Sequence, residues 1–143
     1  MKSENIKKIA FFVIGLFVVG AFSAFLISKK MHDPALFGPT IYFTEEKHDF
    51  GEVKQGPAVL GEFEFMNTGQ ETLIIKGVTA SCGCTSAMVD EKKEFAPGEK
   101  GKIKYTFNTE GRNGVNEKII TVESNDVKNP RKTLSFTCNI VVP

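Results

Sequence analysis

The residues of this 143-residue chain best suited to chemistry are Ser81-Cys82-Gly83-Cys84-Thr85, with a third cysteine, Cys138, far along the chain. In an extended segment residues i and i+2 project to the same side, so the Cys82 and Cys84 thiols can address one object. Two such thiolates can ligate a soft ion such as Cu(I), with Met88 close enough in sequence to serve as a third donor. A disulfide within the Cys-Gly-Cys unit can form if Gly83 bends the chain. Either Cys82 or Cys84 can instead bridge to Cys138, because a separation of 56 or 54 residues resembles the intersheet bridge of an immunoglobulin-like sandwich. The plainer alternatives are a packed turn at Cys82 and Cys84, and a buried, unreactive thiol at Cys138. Thiol–disulfide exchange is a further reading, without the Cys-x-x-Cys beside a helix N-terminus that a thioredoxin-like site uses. With an odd number of cysteines, at least one stays free or pairs with another molecule in an oxidising compartment.

Other reactive groups carry less. His48 lies among charges in Lys47-His48-Asp49-Phe50-Gly51 and reads as solvated, while His32 falls in a linker. No Ser, His and acid constellation suggests hydrolysis, and no phosphate-binding glycine motif or G-x-S-x-G elbow occurs. These absences point to a chain that is not an enzyme and has no catalytic residue to name. A formal net charge of +1 lacks the basic surplus of a nucleic-acid binder. Residues 1–30 hold five Lys and one Glu, which leaves 13 basic against 16 acidic side chains in the remainder.

The elements that must position the cysteines are strands. Beyond residue 40 short runs alternate with period two and end at turn residues, the pattern of an all-β sandwich of about seven strands. Phe63 and Phe65 oppose Glu62 and Glu64. Leu73 and Ile75 pair against Lys76. Ile103, Tyr105 and Phe107 alternate with Lys102, Lys104 and Thr106. Leu134, Phe136, Cys138, Ile140 and Val142 share one face of the last strand, with Ser135, Thr137 and Asn139 on the other. Turns are expected at residues 54–57, 67–69, 97–98, 110–114 and 125–130. The Lys and Glu residues of 91–104 read as a solvated face. Eight of the 13 Phe follow residue 30 and supply the bulk of a Trp-free core. The expected fold is therefore an immunoglobulin-like β-sandwich over residues 40–143, without the tryptophan of a true immunoglobulin core.

Ahead of it, residues 9–28 contain no charged side chain, and twenty helical residues at about 1.5 Å each cover roughly the 30 Å hydrocarbon core of a bilayer. Lys7 and Lys8 on one side and Lys29 and Lys30 on the other mark the two interfaces. Residues 1–30 are read as an N-terminal transmembrane anchor contacting the lipid bilayer, the alternative being a signal peptide cut near Ala21-Phe22-Ser23. Residues 31–39, with Asp33-Pro34 and Gly38-Pro39, form a linker. The excess of positive charge before the helix puts the N-terminus inside and the domain outside.

The order of pieces resembles a bacterial family catalogued as domain of unknown function 1573. These are His48-Asp49-Phe50-Gly51-Glu52-Val53, Gly56, Phe63-Glu64-Phe65-Met66-Asn67-Thr68-Gly69, Leu73-Ile74-Ile75, Ser81-Cys82-Gly83-Cys84-Thr85, Pro97-Gly98-Glu99 and Ser124-Asn125. The resemblance covers residues 43–142. It implies an immunoglobulin-like sandwich related to the ASPM-SPD-2-Hydin-type modules of cilia and centrosome proteins, carried on secreted or membrane-anchored bacterial proteins, with no established activity. It maps the family's Cys-Gly-Cys-Thr motif onto residues 82–85 and does not include Cys138.

The expectation is a single-pass inner-membrane protein whose C-terminal domain lies in the periplasm, acting as a binding or scaffolding module for an unknown protein partner of the cell envelope. A secreted form after signal cleavage is the alternative localisation. The competing functions are a Cu(I)-binding protein using Cys82 and Cys84, and a thiol–disulfide exchanger. Capture of a partner strand along an exposed sheet edge is the simplest route to binding.

Overall fold

The structure is a computed structural model and describes residues 37–90 and 92–142. The anchor expected over residues 9–28, and most of the linker, lie outside the described residues.

Every element in the described chain is a strand: β1 (Ile41–Phe43), β2 (Lys47–Lys54), β3 (Val59–Asn67), β4 (Leu73–Ala80), β5 (Thr85–Val89), β6 (Glu94–Phe95), β7 (Lys100–Phe107), β8 (Gly114–Ser124) and β9 (Arg131–Val141). They form two sheets, β1-β3-β7-β5 and β2-β9-β8-β4-β6. All pairings are antiparallel except β2 with β9. The sandwich expected from period-two alternation is observed. The expected seven strands become nine, two of them very short: β1 of three residues and the edge β6 of two.

The alternation places the core as expected. Phe63, Phe65, Ile103, Tyr105 and Phe107 from the first sheet meet Leu73, Ile75, Ile120, Val122, Leu134, Phe136, Cys138 and Ile140 from the second, all buried. Burying each large apolar side chain is worth about 1.5–3 kcal/mol, which makes this layer the main source of stability. Tyr105 is sandwiched between Phe63 and Phe136, at ring-centroid distances of 5.1 and 4.7 Å. Val142 departs from the expected buried face: it lies past the end of β9 and is exposed.

Most of the signature pieces have structural explanations. Asn67 is fully buried, donating through Nδ2 to the Glu71 and Phe95 carbonyls at 2.8 and 2.9 Å while its Oδ1 accepts the Gly69 N–H at 2.9 Å. A side chain at Gly69 would collide with the Gly38 and Thr40 backbone. The Pro97-Gly98-Glu99 turn closes on the same residue, with Gly98 N–H donating to the Asn67 carbonyl at 2.8 Å and Asn67 N–H to the Glu99 carbonyl at 2.9 Å. The His48-Asp49-Phe50-Gly51-Glu52 piece is a bulge in β2. Register with β9 shifts between Asp49 and Glu52, Gly51 takes a φ of +63°, and Phe50 packs edge-on against Phe136.

Candidate functional site

Two features remain that the core does not consume: the Cys-Gly-Cys crossover and the strand that follows it. β4 ends in one sheet at Ala80 and β5 begins in the other at Thr85, so residues 81–84 carry the chain between sheets. Ser81 stays tied to β8, its N–H donating to the Ile119 carbonyl and its Oγ accepting the Ile119 N–H at 3.2 Å. The chain then bends through a tight turn in which Thr85 N–H donates to the Cys82 carbonyl. This turn brings the two cysteines together, and Cys82 and Cys84 form a disulfide with Cα atoms 5.3 Å apart.

The pairing corrects one expectation. Cys138 is buried and free, so the bridge from Cys82 or Cys84 to Cys138 is not formed. An intersheet bridge needs cysteines on facing strands, whereas Cys82 and Cys84 lie beyond the end of β4, and Cys138 sits within β9 opposite Asn116. Burial pushes the Cys138 thiol up, away from the reactive thiolate. In the disulfide neither Cys82 nor Cys84 presents a thiolate, so the Cu(I) expectation concerns their reduced form. Met88 is exposed on the outer face of the first sheet.

A cross-link over three residues tethers nothing distant. The chain-entropy relation gives it about 1.6 kcal/mol, roughly half the value for a fifteen-residue loop. Both cysteines are half-buried residues, and Cys84 also packs against the core. The Thr85 hydroxyl touches both, 3.5 Å from Cys82 Sγ and 4.0 Å from Cys84 Sγ. A Cβ at Gly83 would meet nothing within 4 Å, so the turn is open on that side. Phe107, the register partner of Thr85, carries two cations on its ring, Lys118 Nζ at 5.5 Å and Arg112 Cζ at 5.8 Å. Among the described residues no carboxylate pairs with either. Sequence reading missed this cluster, although Lys118 falls on the inward-facing series of Ile120 and Val122, where a cation is out of pattern.

The second feature is β5 itself, an edge paired only with β7. Bonds from Asn108 N–H to the Cys84 carbonyl and from Asp90 N–H to the Lys102 carbonyl set the phase of that pairing. Residues 84, 86, 88 and 90 therefore turn their backbone groups to β7, and Ala87 and Val89 turn theirs outward. No described residue bonds these outward groups. Recesses flank the strand on both faces. A cavity of about 240 Å³ between the sheets is lined by Ile75, Gly77, Val78, Ala87, Val89 and Lys93, with Met88 at its margin. A shallow cavity of about 490 Å³ on the outer face includes Leu60, Ser86, Met88 and Thr106, and Leu60 and Met88 are 71% and 59% exposed.

The remaining candidates are quiet. His48 is half-exposed, with Nδ1 3.3 Å from the Glu45 carboxylate. Lys102 with Glu62 and Glu64, Lys104 with Asp90, and Lys92 with Glu99 form surface pairs, as expected of a solvated face. Among the described residues no three His, Cys, Asp or Glu side chains converge on a metal-sized site, and no helix is long and apolar enough to cross a membrane.

The fold recurs in solved proteins of low sequence identity. A protein of unknown function from Porphyromonas gingivalis W83 is 18% identical with a TM-score of 0.65, the match covering 76% of this chain and 50% of that one. The VesB protease of Vibrio cholerae is 15% identical with a TM-score of 0.58, over 71% of this chain and 31% of the protease. The ASH / PapD-like domain of human CEP192 is 14% identical with a TM-score of 0.54, over 72% of this chain and 86% of that domain. This chain thus spans half the Porphyromonas protein and a smaller share of the protease, and the likeness concerns the fold. No curated protein matches the chain in sequence. A family model matches residues 41–140, and the chain belongs to that family, described as protein of unknown function (DUF1573).

Proposed function

We propose that this chain is a membrane-tethered, extracytoplasmic immunoglobulin-like binding module that captures an extended segment of another cell-envelope protein along β5. The observation that carries this reading is the outer edge at Ala87 and Val89, whose backbone groups meet no partner among the described residues, with an apolar recess on each face of the strand. An added strand would take main-chain hydrogen bonds from the edge, and its alternate side chains would fall into the inter-sheet cleft and onto the Leu60 and Met88 shelf. The guest is accordingly an extended segment with apolar residues on both faces. The charge-free run at residues 9–28 supports the tether, and the resemblance to a family carried on secreted or membrane-anchored bacterial proteins supports the compartment. A binding role also fits the fold, which is shared with the PapD-like domain of human CEP192.

The test is site-specific photo-crosslinking from position 86 in the native membrane, with and without Ala87→Pro. Proline at 87 removes an outward N–H and leaves the bonds to β7 in place. The expected result is a discrete adduct from position 86 that Ala87→Pro abolishes while the fold persists. An adduct that survives Ala87→Pro, or labelling from position 86 no stronger than from Thr133 on the far sheet, would overturn the reading.

A further inference from the structure

We propose that the Cys82–Cys84 disulfide is an exchange site that oxidises a dithiol of a partner protein, an activity separate from strand capture. Three observations converge on it. The bond closes a three-residue turn and so ties no distant elements together, unlike a bridge kept for stability. Cys82 and Cys84 are both half-buried residues and flank a glycine with open space over it. One buried hydroxyl, that of Thr85, lies within reach of both sulfurs.

The chemistry follows from which sulfur is held. Cys84 packs against the core, whereas Cys82 does not. A partner thiolate attacks Cys82 Sγ, a new S–S bond forms, and the Cys82–Cys84 bond breaks with its electron pair leaving on Cys84 Sγ. The Thr85 O–H, within reach of Cys84 Sγ, stabilises that leaving thiolate. The partner's second thiol gives up its proton and attacks its own sulfur in the mixed disulfide, releasing Cys82. The partner ends as a disulfide, and Cys82 and Cys84 end as thiols, having taken two electrons and two protons. Cys82 and Cys84 make and break the bonds, and Thr85, in contact with both reacting sulfurs, is a further catalytic residue. Cys138, buried in β9, takes no part.

The protein carries its own control, because tagging of Cys138 reports unfolding. The full chain in detergent is treated with a small excess of reduced dithiothreitol, quenched with a maleimide and mapped by mass. The expected result is tagging of Cys82 and Cys84 within minutes and none at Cys138, slowed at least fivefold in Thr85→Val. In a second arm with oxidised glutathione, Cys84→Ser forms a mixed disulfide at Cys82, while Cys82→Ser reacts at least tenfold more slowly. The inference is overturned if Cys82 and Cys84 become tagged only together with Cys138, if Thr85→Val reacts at the wild-type rate, or if the two serine variants react alike. Neither arm involves a partner strand, so its failure and the failure of strand capture are separately visible.

Discussion

The two edges of the first sheet are built from the same alternation and finished differently. At β1 the outward N–H of Ile41 donates to Asp126 Oδ2 at 3.0 Å, so a buried aspartate from the β8–β9 turn plugs the edge and ties it to the opposite sheet. At β5 the equivalent outward groups, those of Ala87 and Val89, meet no described residue. Edge strands are a liability that proteins blunt by covering, charging or shortening them. β1 is three residues long and plugged, whereas β5 runs five residues without proline or bulge. An edge left open, among the described residues, in a sheet that ties down its other edge points to use.

The largest effect is expected from breaking the closed edge. The Asp126 carboxylate accepts N–H bonds from Ile41, Lys128 and Asn129 at 3.0, 2.8 and 3.0 Å. Asp126→Ala leaves a buried N–H unpaired and should cost on the order of 3 kcal/mol in denaturant unfolding. Next come two prolines one residue apart on the open edge. Met88→Pro removes a bond to β7 and should cost about 2 kcal/mol, whereas Ala87→Pro removes an unused N–H and should cost less than about 1 kcal/mol. Equal costs would mean that the phase assigned to β5 is wrong.

A smaller effect contrasts two buried polar groups. Unlike the carboxylate of Asp126, the Tyr105 hydroxyl is buried with no hydrogen-bond partner among the described residues, and burial, with the Glu45 charge second, pushes its ionisation far above the ordinary range. Tyr105→Phe should therefore leave stability unchanged or raise it by up to about 1 kcal/mol, read from the denaturant midpoint. The smallest effect concerns pH. The Asp49 carboxyl is held below its ordinary range chiefly by the Gly51 N–H and then by the Thr137 hydroxyl. Because its folded value lies below its unfolded one, its stabilisation is present above the unfolded pKa and is lost as pH falls through the folded value. Asp49→Asn should flatten the acid limb of the stability profile.

What the sequence made legible follows period-two burial. The cores of β3, β7 and β9 and all five turns were readable, because a half-buried strand prints its alternation and a turn its Gly, Pro and Asn. The division of β1 from β2 was not, since a three-residue strand carries too few positions to show which sheet it joins. Asp126 read as an ordinary turn residue within 125–130, because nothing local distinguishes a carboxylate that solvates from one that reaches 85 residues back to Ile41. At the cysteines, spacing admitted several pairings. The choice was made by where β4 ends, a tertiary fact that places Cys82 and Cys84 in a crossover and away from Cys138.

The most direct test of the asymmetry is native-state amide hydrogen exchange, resolved by residue, on the chain without a partner. The account predicts protection at Ile41, Ser86 and Met88, with Ala87 and Val89 exchanging orders of magnitude faster. Protection of Ala87 and Val89 equal to that of Ile41 would show that β5 is already covered, and would contradict the open edge on which strand capture rests.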